Sequence, residues 1–309
     1  MKKSILYLSV ITLSLAFFVS SCKKDSAVAT DSATEVSTQA DDQSRVSTET
    51  DAVTNDANAS LEVSTSISGR DMGFQGLICD ASIVADTISN TRTITITYNG
   101  ANCSGNRVRT GVVVISIAAG VHWKDAGAVV TISYQNLKIT RVSDNKSITI
   151  NGTHTLTNVS GGLLINLPAL KTITHTISSS NMSVTFDDGS QRTWSVARQR
   201  VFTYNNGVVI TITGTHTDGT NTGIEEWGTT RFGKSFTNSI TSPLVVSQAC
   251  SFRITSGATQ HVTSLATVAV TFGLDASGNA TSCPGTGSYY YKAVWTGANG
   301  KVVTVIAPY

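Results

Sequence analysis

From Gly73 onward the hydrophobic and polar positions of this chain alternate with a period of two. Ile94, Ile96 and Tyr98 interleave with Thr93, Thr95 and Thr97, Val113, Ile115 and Ile117 form a second apolar row, and Val130, Ile132 and Tyr134 form a third. Similar runs lie at 148–150, 173–177, 184–186, 208–212, 268–272 and 302–306. Alternation rich in β-branched residues predicts half-buried strands. Asn99-Gly100, Asp188-Gly189, Asn205-Asn206-Gly207 and Asn299-Gly300 punctuate the runs with residues suited to the tight turns of antiparallel hairpins. No stretch shows convincing helical spacing. The expected fold is all-β and antiparallel, a large β-sandwich or an elongated rolled sheet of roughly 15 to 20 short strands.

One segment recurs. Ile148-Thr149-Ile150-Asn151-Gly152-Thr153-His154-Thr155 returns as Ile210-Thr211-Ile212-Thr213-Gly214-Thr215-His216-Thr217, and only the fourth position differs. Each copy follows a polar turn, which predicts a duplicated β-meander. The period is too long for a β-solenoid coil, and the lack of further copies argues against a propeller.

The amino-terminal part differs in character. Lys2 and Lys3 precede an apolar run from Ile5 to Val19, and Ser20-Ser21-Cys22 closes it. This is the order of a secretory signal. The run, about 15 residues, is too short for a membrane-spanning helix. The cysteine directly after the small residues resembles a bacterial lipobox, so Cys22 is expected to become the lipidated first residue of the mature protein. Lys23 rather than Asp follows it, which favours the outer membrane, on either its periplasmic or its cell-surface face. From 23 to 68 the chain is Ser, Thr, Ala, Asp and Val without an aromatic residue. That composition buries too little apolar surface to offset ordering entropy. The expected organisation is therefore a signal peptide over 1–21, a lipidated, disordered Ser/Thr/Asp-rich tether over 22–68, and an all-β domain over 69–309. A flexible tether of this length reaches roughly 35 to 40 Å.

Charge divides along the same boundary. Residues 23–69 carry nine acidic side chains against Lys23, Lys24 and Arg45, a net of −6, and the remainder carries 17 basic and 11 acidic ones, a net of +6. So mild a basic excess gives no reason to expect nucleic acid as a partner. Four cysteines remain beyond Cys22. Export favours disulfides, and proximity favours Cys79–Cys103 and Cys250–Cys283 over the two other pairings. A four-thiolate zinc site lacks the usual C-x-x-C spacing, so no metal or cofactor is expected.

Several features together resemble a family of uncharacterised secreted lipoproteins common in the Bacteroidota. They are Ser21-Cys22-Lys23-Lys24-Asp25, Cys79-Asp80, Asn102-Cys103 with Arg107-Val108-Arg109-Thr110-Gly111, Gly127-Ala128-Val129-Val130-Thr131-Ile132, the Gly-Thr-His-Thr segments, and Asp187-Asp188-Gly189 followed by Trp194. The resemblance covers most of residues 79 to 283. It brings no activity and no catalytic residues with it.

Candidate chemistry is sparse. The only glutamates after residue 69 are Glu225 and Glu226, and neighbours on a strand point to opposite faces, so they are not expected to face each other as an acid/base pair. Asp187 and Asp188 read as a hairpin turn. His154 and His216 hold equivalent repeat positions and would approach each other if the copies packed about a pseudo-twofold axis. There is no G-x-S-x-G elbow and no nucleotide-binding glycine loop. Trp194, Arg198 and Arg200 share one strand face and form a candidate glycan-binding surface, with core filling as the competing role. Asp25-Ser26-Ala27 and Asp31-Ser32-Ala33 resemble acceptor sites for O-glycosylation, at Ser26 and Ser32. The reading is a non-enzymatic, lipid-anchored cell-envelope protein, a structural or binding module. A surface carbohydrate-binding or adhesion protein, an envelope lipid or lipopolysaccharide carrier, and a hydrolase are the alternatives.

Overall fold

The computed structural model describes residues 27–64, 76–285, 287–297 and 300–309. A single antiparallel sheet dominates it. Its strands are β1 (Ala81–Asp86), β2 (Thr91–Ala101), β3 (Arg107–Ala118), β4 (Ala128–Arg141), β5 (Ser147–Asn158), β6 (Thr172–Phe186), β7 (Gln191–Tyr204), β8 (Val208–Gly214), β9 (His216–Asp218), β10 (Asn221–Thr229), β11 (Ser235–Ser247), β12 (Arg253–Thr263), β13 (Ala266–Leu274), β14 (Tyr290–Gly297) and β15 (Val302–Pro308). The first seven form a plain meander. At β7 the ladder divides: residues 194–196 pair with β10, and residues 198–204 pair with β8. β8 and β10 then both pair with β11, filling successive lengths of the space between β7 and β11. From β11 the meander resumes to β15, so β1 and β15 are the two edges. The second copy of the repeat is broken between β8 and β9, whereas the first runs unbroken through β5.

The expected disordered tether is instead a helix, α1 (Ala27–Val63), 37 residues and about 55 Å long. It contains no glycine or proline to break it. Its threonines and valines give it modest propensity, and a polar helix of this kind gains its stability from tertiary packing. Gln39, Asp42, Val46, Thr50, Val53, Ala57, Leu61 and Ser64 are buried at steps of three and four residues. Between Glu35 and Ser64 no residue is exposed. The Thr50, Thr54 and Ser60 hydroxyls donate to the carbonyls of Val46, Thr50 and Asp56, one turn earlier. Satisfied within their own helix, they need no partner across the groove.

The sheet rolls around this helix. Val46, Val53, Ala57 and Leu61 join one hydrophobic core with the inward rows of β2 to β7, including Ile96, Ile115, Ile132, Ile150, Val184 and Trp194. A line of register shifts crosses adjacent strands at Thr110/Val112, Tyr134/Leu137, Asn151/His154 and Ser179/Met182. Bulges bend and twist a strand, and aligned ones crease a sheet. Gly111 is required there: it has φ +112°, and a Cβ on it would lie 2.4 Å from the Asn136 carbonyl oxygen. A smaller cluster of Leu167, Ile173, Phe202, Ile210 and Val246 continues the inward rows across β6, β7, β8 and β11.

Candidate functional site

The concave face of the sheet carries the strongest chemistry of the chain, and α1 occupies it. Eight arginines lie along this face: Arg92 on β2, Arg107 and Arg109 on β3, Arg141 on β4, Arg192, Arg198 and Arg200 on β7, and Arg231 after β10. Six of them meet carboxylates of α1. Arg141 pairs with Asp41 at 2.8 Å, Arg231 with Asp42 at 2.6 Å, Arg109 with Asp56 at 2.8 Å, and Arg200 with Asp51 at 2.7 Å. Arg107 binds Glu49, and Arg198 donates to both Asp51 oxygens at 3.2 Å. Lys234 completes the row with Glu35 at 2.8 Å. Glu49 and Asp51 lie about 200° apart around a helix. One reaches β3 and the other β7, so the sheet grips the helix from opposite sides.

At the centre is a buried polar cluster. Ser47 donates to Glu226 at 2.8 Å, Gln43 and Arg198 also bind Glu226, and Asn238 donates to Glu225 at 3.0 Å. Glu225 and Glu226 are both buried and both lie beside Arg198. This corrects the expectation that they separate across the sheet. A register shift between Ile224 and Glu226 breaks the alternation and turns both inward. Burial pushes the Glu225 carboxyl up to about 8 and raises Glu226 as well. Burial would also raise Asp51, but Arg198 and Arg200 pull it below the usual carboxylate range. His154, bonded to the Tyr134 hydroxyl at 3.1 Å, is driven down to about 3 by burial and then by Arg198, and so stays neutral.

Trp194, Arg198 and Arg200 do share a face, but not a free one. Trp194 is 0 % exposed and packs at 5.2 Å against His154. Both arginines are buried under Asp51. The face expected to stack a sugar ring is core and helix seat, because the acidic segment expected to hang free neutralises it. His154 and His216 do not meet: β6 and β7 separate their strands, and His216 instead stacks on Trp227 at 4.0 Å and 14° on the opposite face.

The cysteines pair as Cys79–Cys103 and Cys250–Cys283, with Cα separations of 5.2 and 5.4 Å. Asp187 and Asp188 sit in the β6–β7 turn, where Asp188 accepts from the Ser190 amide at 2.9 Å. Ser32 lies in the first turns of α1; Cys22 and Ser26 lie outside the described residues. Among the described residues no group of three or more His, Cys, Asp or Glu side chains is placed to hold a metal ion, and no helix is long and apolar enough to cross a membrane. No protein-family profile, curated protein or solved structure matches the chain.

The docked helix is what sequence reasoning missed. Its signal was the opposition of a −6 segment and a +6 domain, together with a run of arginines at alternate positions in β7.

Proposed function

We propose that this chain is a non-enzymatic, lipid-anchored module of the cell envelope, fixed to the outer membrane through Cys22, whose rolled sheet holds its own amino-terminal segment as a structural helix. One observation carries the reading. The ionisable groups of the concave face are largely taken up in ion pairs with carboxylates of α1, whereas a catalytic group must reach its substrate. The signal-like start, the Ser-Ser-Cys junction and the resemblance to envelope lipoproteins support the anchor. Metabolic labelling with an alkynyl fatty acid tests it. The parent chain should take up label and sediment with the outer membrane, and Cys22→Ala should do neither. A chain that sediments unchanged after that substitution would refute the anchor.

A second reading, surface carbohydrate binding, is favoured by the stacked pair His216 and Trp227. Both are partly exposed on the convex face, with Thr193 and Thr229 bonded to each other nearby at 3.0 Å. An aromatic platform flanked by hydroxyls suits a sugar ring. Trp227→Ala should abolish retention on immobilised glycans and leave the thermal midpoint nearly unchanged; equal retention would remove this reading.

A further inference from the structure

The sheet ends on β15 with an open backbone. Among the described residues no strand pairs with its outer side. Its ladder with β14 runs from Val302 to Pro308 without a register shift. The Tyr309 amide donates to the Tyr289 carbonyl at 2.8 Å, and the Gly297 amide donates to the Lys301 carbonyl at 2.9 Å. These two pairs fix the phase of the ladder. The backbone groups of odd-numbered residues face β14, so those of Val302, Thr304 and Ile306 point away from the sheet. The strand is also held at its end. The Tyr309 hydroxyl accepts from the Gly273 amide at 3.0 Å and donates to the Ile254 carbonyl at 2.5 Å, which ties β15 across its neighbours.

Open amides and carbonyls recruit another strand, and edges are normally blunted by charge, a bulge or proline. The opposite edge follows that rule, since β1 ends in the exposed Asp86. Over 302–307 the β15 edge carries no charged residue and no bulge, and proline enters only at 308. Val302 is 58 % exposed, Val303 38 % and Ile306 37 %. Apolar side chains therefore flank the open backbone on both faces of the strand.

The sequence of this edge fits a copy of itself. Val302-Val303-Thr304-Val305-Ile306 reads almost the same in both directions, and all five residues are β-branched. An antiparallel copy centred on Thr304 sets Val302 against Ile306 of the second copy, Thr304 against Thr304, and Ile306 against Val302. These are the residues whose amides and carbonyls are open. Each such pair exchanges two hydrogen bonds, about six in all. On the other face Val303 meets Val305 of the second copy. The cross-strand line Val268, Trp295 and Val303 then runs on into Val305, Ala293 and Val270 of that copy, an apolar row without a break. A contact between β15 of one copy and β1 of another would not close on itself and would propagate into a filament.

We propose that β15 is a self-association edge, through which two copies of this chain join antiparallel about a twofold axis at Thr304 into one continuous sheet. Substitutions at Thr304 in the full chain test it. Thr304→Pro deletes an N–H that points outward and leaves the β14 ladder its bonds. Sedimentation velocity, corrected for bound detergent, should give twice the chain mass for the parent and the single-chain mass for the variant, with the same circular-dichroism spectrum. Thr304→Lys sets like charges opposite each other and should give the same single-chain mass if the proline variant does not fold. Thr304→Cys should cross-link to itself on oxidation, because the two Cα atoms would lie about 5.5 Å apart, within the span of a disulfide. A single-chain mass for the parent, a dimer unmoved by either substitution, or a Thr304→Cys chain that cross-links only when mixed with a Val84→Cys chain would each overturn the proposal.

Discussion

Asp51→Ala should loosen the helix from the sheet. Asp51 sits mid-helix and accepts from Arg200 at 2.7 Å and from Arg198 at 3.2 Å, with its side chain 15 % exposed. Without it, Arg200 loses its ion-pair partner and Arg198 keeps only Glu225 and Glu226. Removing one member of a buried pair costs about 3–5 kcal/mol, because the other charge stays buried. The four fully buried apolar residues of α1, Val46, Val53, Ala57 and Leu61, are few and small. At about 1.5–3 kcal/mol for each of the three larger ones, the loss offsets most of what two of them contribute. The global midpoint of a domain this large should fall by about 6 to 20 °C. Trypsin reports the local event. Arg45 is buried, with its guanidinium on the Ile139 carbonyl at 3.3 Å, so the Arg45–Val46 bond should resist cleavage in the parent and be cut early in the variant. Rapid cleavage at Arg45 in the parent would show that α1 is not seated. Equal protection in parent and variant, with an unchanged midpoint, would show that the Asp51 pairs contribute nothing.

Other substitutions probe separate parts of the fold. Glu225 has a folded pKa raised to about 8, so the stability it contributes is present below its unfolded value and is lost as pH rises through about 8. Glu225→Gln keeps the acceptor for Asn238 and should flatten the decline in stability between pH 5 and 9, read from urea midpoints; an unchanged slope would mean that Glu225 is not the titrating group. Trp194→Ala should cost about 3–5 kcal/mol, seen as a lowered melting midpoint, with no change in glycan retention. Gly111→Ala places a Cβ 2.4 Å from a carbonyl oxygen at a positive φ, and should destabilise by more than about 1 kcal/mol, measured by denaturant midpoint. Replacing Cys79 and Cys103 together by Ser should cost about 2–5 kcal/mol on the same assay.

The strands were legible because their signal is local. Alternate Ile and Thr in 93–98 became β2, and its pairing with β3 follows from adjacency in sequence. Both disulfides followed from proximity for the same reason. The seat of α1 was not legible, because nothing in 23–68 is amphipathic in the apolar sense. Its inward positions are Gln39, Asp42 and Thr50 as often as Val46 and Val53, and the carboxylates among and beside them are held by arginines on distant strands. Periodicity in hydrophobicity cannot report a helix whose buried stripe is polar. Charge balance could, since the two segments neutralise each other. The inward turn of Glu225 was hidden too, because a bulge is set by the ladder around it and not by the two glutamates.

The docked helix also changes what an anchor at Cys22 would mean. A flexible tether of about 45 residues would hold the sheet roughly 35 to 40 Å from the lipid in no fixed orientation. With α1 beginning at Ala27, only four residues lie between it and Cys22, and the connection spans at most about 18 Å. A lipid at Cys22 would then keep the membrane close to the amino-terminal end of α1. The pairs Lys234–Glu35, Arg231–Asp42 and Arg141–Asp41 place the β10–β11 hairpin and the β4–β5 turn beside the amino-terminal half of α1. Trp123, bonded to Asn58 at 3.2 Å, and the loop whose Leu164 amide donates to Glu62 at 2.6 Å stand at the far end. From Glu35 to Glu62 the helix rises about 40 Å. Ile88, Ile165 and Leu170 are exposed at that far end, away from the end of α1 that a lipid at Cys22 would hold.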